Sequence, residues 1–254
     1  MDADKARNTI ITGTNRGIGL AMVEKFAENG CNIWACARKP NPEFELKMSE
    51  LAKKFGVWIK PVYFDLSVEE EIKAGIMSIF KEKKPVHTLI NNAGIYYDKL
   101  FQMHTMKEIK EIFDVNVFAL MYITQLTLRI MVRQKYGNII NVSSTTGLIP
   151  YQGAVCYGSA KAAVALFTRS LAIEIGGFGN IRVNAIAPGH TETDMTKHAM
   201  GKHRDYILSN CIMNRFAKPY EIANAAYYLA SDEASFINGA IINVDGGERH
   251  GYGE

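Results

Sequence analysis

Asn8-Thr9-Ile10-Ile11-Thr12-Gly13-Thr14-Asn15-Arg16-Gly17-Ile18-Gly19 joins a short apolar run to three closely spaced glycines. The run reads as a buried strand. A helix is expected from about Leu20 to Asn29, with Ala21, Phe26 and Ala27 on one side. Strand, glycine loop, helix is the context in which such a loop takes a dinucleotide. Glycines permit the tight turn and a close backbone approach, and the helix N-terminus offers free N–H groups to a pyrophosphate. The spacing is Gly-x3-Gly-x-Gly, not Gly-x-Gly-x2-Gly. Gly13, Asn15, Arg16, Gly17, Ile18 and Gly19 are therefore candidate cofactor contacts, against the plainer reading of an ordinary strand-to-helix turn.

Working outward, Gly30 closes the helix and Cys31 to Ala37 reads as the second strand. A dinucleotide fold ends this strand with an acid for a free ribose 2′-OH, or a cation for a 2′-phosphate. Here Arg38 and Lys39 follow Ala37, and Arg16 lies in the nearby loop. Cations with no acid favour NADP over NAD. A helix is expected over Pro42 to Phe55, and a strand over Val57 to Phe64, ending at Asp65-Leu66, placed to edge an adenine. Val68 to Lys81 reads as an amphipathic helix, and Val86 to Ile90 as a fourth strand running into Asn91-Asn92-Ala93-Gly94. This alternation predicts a Rossmann-like, doubly wound α/β fold: one parallel seven-stranded sheet, helices on both faces, ligands outside the carboxyl ends of the strands.

A long helix is expected from about Thr105 to Gln134, with polar Asn116 in its middle. A strand over Asn138 to Ser143 leads to Ser144. The helix Tyr157 to Gly176 carries Tyr157 and Lys161 four apart, hence on one face. A phenol titrates near ~10, and a neighbouring ammonium favours its anion, so the pair suits proton exchange with a carbonyl that Ser144 polarises. Alone, such spacing is more often a surface tyrosine above a solvated lysine. The helix is apolar nearly all round, which predicts burial on both sides: the sheet on one, a second subunit on the other.

Asn180 to Ala187 reads as the sixth strand, followed by Pro188-Gly189-His190-Thr191-Glu192-Thr193. The segment at about 190–213, with Met195, Met200, Ile212 and Met213, reads as a substrate lid. A helix over Tyr220 to Ala230 and a strand over Ala240 to Val244 complete a single domain spanning 1–254, and the tail Glu248 to Glu254 reads as a frayed polar end.

Composition agrees with an ordinary globular protein. Of 254 residues 48% are apolar and 22% charged, and a net charge of +3 argues for neither nucleic acid nor a membrane surface. No apolar run reaches ~18 residues, so no spanning helix is expected. Met1 to Arg7 does not read as a signal peptide. Cys31, Cys36, Cys156 and Cys211 read as free thiols of a reducing, cytoplasmic compartment, with Cys156 a small buried hydrophobe. His87, His104, His190, His198, His203 and His250 lack ligand spacing, and no metal is expected.

Taken together, Thr12-Gly13-x3-Gly17-Ile18-Gly19, Asp65-Leu66, Asn91-Asn92-Ala93-Gly94, Asn116, Ser144, Tyr157-x3-Lys161, Pro188-Gly189 and Val244-Asp245-Gly246-Gly247 resemble the short-chain dehydrogenase/reductase family along nearly the whole chain. The resemblance implies an NADP(H)-dependent enzyme acting on a CH–OH or carbonyl group. It implies that Tyr157 is the general acid, that Lys161 lowers its pKa and holds the nicotinamide ribose, and that Ser144 orients the carbonyl. Asn116 would steady a water linking Lys161 to solvent. Pro188, Gly189, Thr191 and Thr193 would face the nicotinamide side, and Asn92, Ala93 and Gly94 the adenosine-side ribose. The family is commonly tetrameric through the long apolar helices. Within it the chain looks most like 3-oxoacyl-(acyl-carrier-protein) reductases of fatty acid biosynthesis, which implies an acyl-thioester substrate with acyl carrier protein as a partner. Lys135 stands about where one of two docking cations near the active-site mouth is expected, but Phe178 replaces the other, and Tyr96 and Tyr97 make the mouth aromatic.

Overall fold

A computed structural model describes residues 7–197 and 204–248. Its elements are β1 (Asn8–Thr12), α1 (Gly17–Glu28), β2 (Asn32–Ala37), α2 (Pro42–Phe55), β3 (Ile59–Tyr63), α3 (Glu69–Lys81), β4 (Thr88–Asn91), α4 (Met106–Phe113), α5 (Ala119–Gln134), β5 (Tyr136–Val142), α6 (Val155–Glu174), β6 (Asn180–Pro188), α7 (Arg204–Ser209), α8 (Pro219–Ala230) and β7 (Ile241–Val244). The strands form one sheet in the order β3-β2-β1-β4-β5-β6-β7, with every neighbouring pair parallel. The order reverses between β1 and β4, and a crevice opens there at the carboxyl edge.

Alternation along the strands divides the core. Ile11, Ile33, Ile90 and Ile140 face a layer built from α1, α2 and α8. Ile10, Trp34, Leu89 and Ile139 face α3, α5 and α6. Strands buried on both faces read as continuous apolar runs, which is why the period-two pattern is invisible in β1 and β4. Cys31, just before β2, and Cys36 enter opposite layers, as their odd separation requires, and all four cysteines are free. Element ends follow local signals. Asn41 accepts from Glu43 N at 2.9 Å to cap α2, Pro42 opens it, and Gly56 ends it at φ 68°.

Three expectations need correction. The helix expected over 105–134 is α4 and α5 joined by a π turn, Asp114–Phe118. Taken through that turn, Met106–Gln134 is one stretch of 29 residues long and apolar enough to cross a membrane, but 56% of its most apolar window is buried inside this fold, as in a core helix. Glu248 is also no part of a frayed tail: it is 7% exposed and pairs with Cys211 in an isolated antiparallel bridge. The rest of that tail, and His198, Met200, His203 and His250, lie outside the described residues.

Candidate active site

The glycine loop begins where β1 ends. At Gly19 an added Cβ would lie 2.0 Å from the Gly13 carbonyl oxygen, so the first turn of α1 crosses the strand end at a distance only glycine allows. Thr12 Oγ1 accepts from the backbone N–H groups of Asn92 and Ala93 at 3.0 and 3.1 Å. The Asn92 side chain donates to the carbonyls of Thr12 and Gly13 at 2.9 and 3.2 Å. Its Nδ2 group thus braces the loop, while Asn92 itself lines the larger of two clefts at the carboxyl edge. Helix α1 starts after Arg16 with no side-chain cap, leaving its first N–H groups to whatever the cleft holds.

Two adjoining clefts open along the carboxyl edge, of about 320 and 140 Å³. They share Gly13, Asn15, Ala93 and Gly94. The larger takes in Arg16, Gly17, Ile18, Gly19, Asn92, Ser144, Tyr157, Lys161, Pro188, Gly189, Thr191 and Thr193. The smaller takes in Arg38, Asp65 and Leu66. Every cofactor residue expected from the sequence therefore lines one cleft or the other. The two arginines hold different acids. Arg38 Nε donates to Asp65 at 2.6 Å, and Arg16 pairs with Asp194 at 3.4 Å. Burial raises the pKa of Asp65, but bonds from Ser67 and Arg38 outweigh it and hold the carboxyl below its ordinary value.

On the other wall, Ile112, Val117, Cys156 and Ala160 form a small core that packs the π turn against α6. Cys156 is buried, which pushes its thiol pKa up, in keeping with a packing role. Tyr157 and Lys161, each one residue further along α6, line the larger cleft. The loop that carries Ser144 rests directly on this helix. A Cβ at Gly158 would lie 2.7 Å from Thr146 O, and Ser143 Oγ donates to Lys161 O at 2.8 Å. Ser144 Oγ in turn accepts from Thr146 N and Oγ1 at 3.2 and 2.8 Å.

Lys161 is 2% exposed, and its Nζ donates to Val142 O at 2.8 Å. Burial brings its pKa down to about 8. The half-buried Tyr157 moves the other way: burial pushes the phenol up to about 12, and a hydrogen bond with Ser144 offsets part of that. This corrects the expected ammonium effect. Nζ sits 5.6 Å from the centre of the tyrosine ring, and removal from water decides the balance.

Asn116 is fully buried in the π turn. Its Oδ1 accepts from Ile95 N at 3.2 Å, and its Nδ2 donates to Ile95 O at 3.0 Å and Ile112 O at 2.9 Å. That leaves one lone pair on Oδ1. A Cβ placed at Gly94 would be 2.5 Å from Oδ1 and 3.4 Å from Lys161 Nζ, so both groups flank the same glycine. A π turn at such a spot is a common way to aim one side chain out of helical register.

Of the neighbours expected at the mouth, Tyr96, Tyr97 and Lys135 have different places, and the pair of His190 with Glu248 was missed. Tyr96 lines the cleft and meets the Tyr157 ring edge-on at 5.1 Å, whereas Tyr97 turns away to bond Glu111 at 3.0 Å. Lys135 precedes β5, at the amino edge of the sheet, opposite the cleft within one chain. His190 lines the cleft and faces the buried Glu248, with Nδ1 3.2 Å from Oε1. Only long-range packing brings residues 190 and 248 together, so no local pattern announced the pair. Among the described residues no three His, Cys, Asp or Glu side chains gather as a metal site requires.

A family model described as enoyl-(acyl carrier protein) reductase matches residues 13–248. The chain is 36% identical over 239 residues to the 3-oxoacyl-[acyl-carrier-protein] reductase of Aquifex aeolicus, covering 94% of this chain and 96% of that one. It is also 36% identical over 247 residues to a 3α-hydroxysteroid dehydrogenase of Mediterraneibacter gnavus, covering 96% and 98%. Among solved structures, a protein of Beutenbergia cavernae provisionally assigned as an NAD(P)-dependent gluconate 5-dehydrogenase, with NADP bound at low occupancy, superposes with a TM-score of 0.89 at 28% identity, covering 95% and 96%.

Proposed function

Because this chain belongs to the short-chain dehydrogenase/reductase family, we propose that it is an NADPH-dependent carbonyl reductase working between a ketone and its alcohol, with 3-oxoacyl thioesters first among its substrates. One observation carries the reading. Ser144, Tyr157 and Lys161 share a wall of the cleft whose facing wall is the glycine loop. The residues present fit a dinucleotide phosphate: an uncapped helix start, glycine-lined walls, and two arginines with no acid at the end of β2.

NADPH, when bound, would supply a hydride for the carbonyl carbon. Tyr157 donates its proton to the carbonyl oxygen. Its phenol, held protonated by burial well above neutral pH, suits an acid. Ser144 donates a hydrogen bond to the same oxygen and fixes its position. Lys161, poised near pH 8, restores the proton to Tyr157 and bonds the cofactor ribose. Asn116 holds Ile95 and Gly94 in place and offers its remaining lone pair to a water that connects Lys161 with solvent. Arg38, in the smaller cleft, and Arg16, in the larger, would hold the 2′-phosphate in place of their present partners Asp65 and Asp194. The described parts of the lid segment, 190–197 and 204–213, would cover the substrate, with Met195 lining the cleft; residues 198–203 lie outside the described residues.

The exposed Leu166 and Ile173 on α6 and Phe118 beside α5 support pairing of subunits through these helices, and a tetramer is the expected assembly. Lys135, on the far edge, gives no support to carrier docking at the mouth of the same chain. The second substrate class, that of an alcohol, sugar or steroid dehydrogenase of the same family, is favoured in its hydroxylated members by polar His190 in the cleft. Loss of NADPH absorbance with acetoacetyl thioesters, against a panel of ketones, sugars and steroids, tests the reading. Reduction of the thioester at the highest kcat/KM is the expected result for the first class. No turnover of thioesters removes it. NADPH binding with no turnover of any carbonyl would make the chain a nucleotide-binding regulator, which the intact Asn116, Ser144, Tyr157 and Lys161 set argues against.

A further inference from the structure

Glu248 is a buried carboxylate that proton transfer at Tyr157 does not use. Its Oε1 accepts from the hydroxyl of Tyr151 and faces His190 Nδ1 at 3.2 Å. Burial alone would raise its pKa, but the bonds from His190 and Tyr151 outweigh it and hold the group below its ordinary value, hence ionised. Through the isolated bridge between Cys211 and Glu248, this residue also ties the end of the chain to the segment after α7. A Cβ added at Gly189 would lie 3.3 Å from Oε2, so the carboxylate stands directly behind a wall of the larger cleft.

His190 belongs to that wall, and a quarter of its side chain remains exposed. Its ring is held between Tyr151 and Phe216, with centroids 6.1 and 6.5 Å away. A carboxylate opposite Nδ1 fixes the tautomer with the proton on Nδ1. Nε2 is then the nitrogen left for a bound molecule, and in the neutral ring it is an acceptor. An acceptor in a substrate cleft selects a donor. A ketone or 3-oxoacyl chain offers none beside its carbonyl, whereas a hydroxylated compound does.

We propose that His190, oriented by Glu248, is a specificity-determining residue that accepts a hydrogen bond from a substrate hydroxyl, so that the chain favours hydroxylated carbonyl compounds over their plain counterparts. This rests on the carbonyl-reductase reading above and ranks substrates within its second class, leaving the place of thioesters to the acetoacetyl thioester assay. His190 touches the substrate; Glu248 is a positioning residue that acts through it.

The test is NADPH-dependent reduction of matched pairs: acetoin against 2-butanone, dihydroxyacetone against acetone, and a 17-hydroxylated 3-oxosteroid against its deoxy form. The wild type is expected to prefer the hydroxylated member of at least one pair by about tenfold in kcat/KM, chiefly through KM, as one hydrogen bond allows. His190→Phe keeps a ring between Tyr151 and Phe216 and removes both nitrogens; it should bring that ratio close to one. Glu248→Ala should lower the ratio as well, while Glu248→Gln, which still accepts from Nδ1, retains part of it. Circular dichroism and Tm identify any variant that fails to fold, and His190→Ala stands in for His190→Phe if that one does. A ratio near one in every wild-type pair, or a ratio that His190→Phe leaves intact, overturns the inference. Reduction of acetoacetyl thioester with no turnover of any pair overturns it while leaving the reductase reading standing. No turnover of any carbonyl overturns both.

Discussion

On the adenosine side of the cleft, between β1 and β3, the groups offered to a ligand are backbone N–H groups of an uncapped helix and exposed arginines. On the nicotinamide side, between β4 and β7, they are side chains sunk into the fold: Asn116 fully buried, Lys161 at 2% exposure, Ser144 at 9%. The first side is cheap to build, since glycine clears the space and water solvates the cations until a phosphate arrives. The second removes an ammonium and a phenol from water and holds them with few partners. Both pKa values shift against the charged form as a result, Lys161 down to about 8 and Tyr157 up to about 12. Binding and chemistry are thus separable here, and mutations on the two sides should fail in different ways.

The sharpest break is Tyr157→Phe. It removes the proton donor and leaves the glycine loop untouched, so kcat should fall by roughly a thousandfold while the Kd for NADPH stays within about twofold. Stopped-flow binding with steady-state rates checks both. Loss of NADPH binding would show that the two sides are one unit and that Tyr157 is structural.

Lys161→Met should act next, with activity and stability moving in opposite directions. A drop in kcat of about a hundredfold is expected, with a higher Tm at pH 7. Between about pH 8 and the ordinary lysine value of 10.5, the unfolded chain binds more protons at this residue than the folded one. Wild-type stability therefore gains from this group as pH rises through that window, and its full cost, of a few kcal/mol, is felt below pH 8. The unmet Val142 carbonyl offsets part of the gain in the variant. The Tm gap between variant and wild type should shrink as pH goes from 7 to 9.5. A gap that stays constant would mean Lys161 is solvated in the folded protein.

The same contrast governs what was legible in the sequence. The adenosine side is local: Gly13 to Gly19 sit within seven positions, and Arg38 follows its strand directly, so strand, loop and charge are read off consecutive residues. The parallel sheet came through for the same reason, because apolar runs alternate with amphipathic stretches. The catalytic side is assembled from three elements, the π turn, the loop after β5 and α6, and only Tyr157 and Lys161 share one. The π turn was hidden because Asp114-Val115-Asn116-Val117 has ordinary helical composition. The direction of the tyrosine pKa is not legible in the sequence because spacing shows a charge nearby but not the burial that raises the phenol. Asn92 lines the cleft, and the two carbonyls its Nδ2 braces are contacts that no sequence pattern reveals. Glu248 was read as tail because its burial depends on His190 and Tyr151, each far away along the chain.

The smallest expected effect belongs to the adenosine side. Arg38 has 69% of its side chain exposed and holds Asp65 at 2.6 Å. An exposed pair of this kind contributes about 0–1 kcal/mol, so removing it should leave Tm nearly unchanged. Cofactor choice is a different matter. Losing one charge-assisted bond to a 2′-phosphate costs about 1.5–3 kcal/mol, or roughly ten- to a hundredfold in the NADPH:NADH ratio of kcat/KM. Arg38→Ala also frees Asp65, an acceptor suited to a 2′-OH, so it should move preference toward NADH even without a new acid. Arg38→Asp adds a second carboxylate and should move it further, by repelling the phosphate. Because the arginine is exposed, the wild-type preference should weaken as salt is raised, while that of Arg38→Ala stays flat. A wild type that already prefers NADH would show that Asp65, not Arg38, reads the ribose; an unchanged ratio in Arg38→Ala would leave the choice to Arg16 and the backbone of the glycine loop.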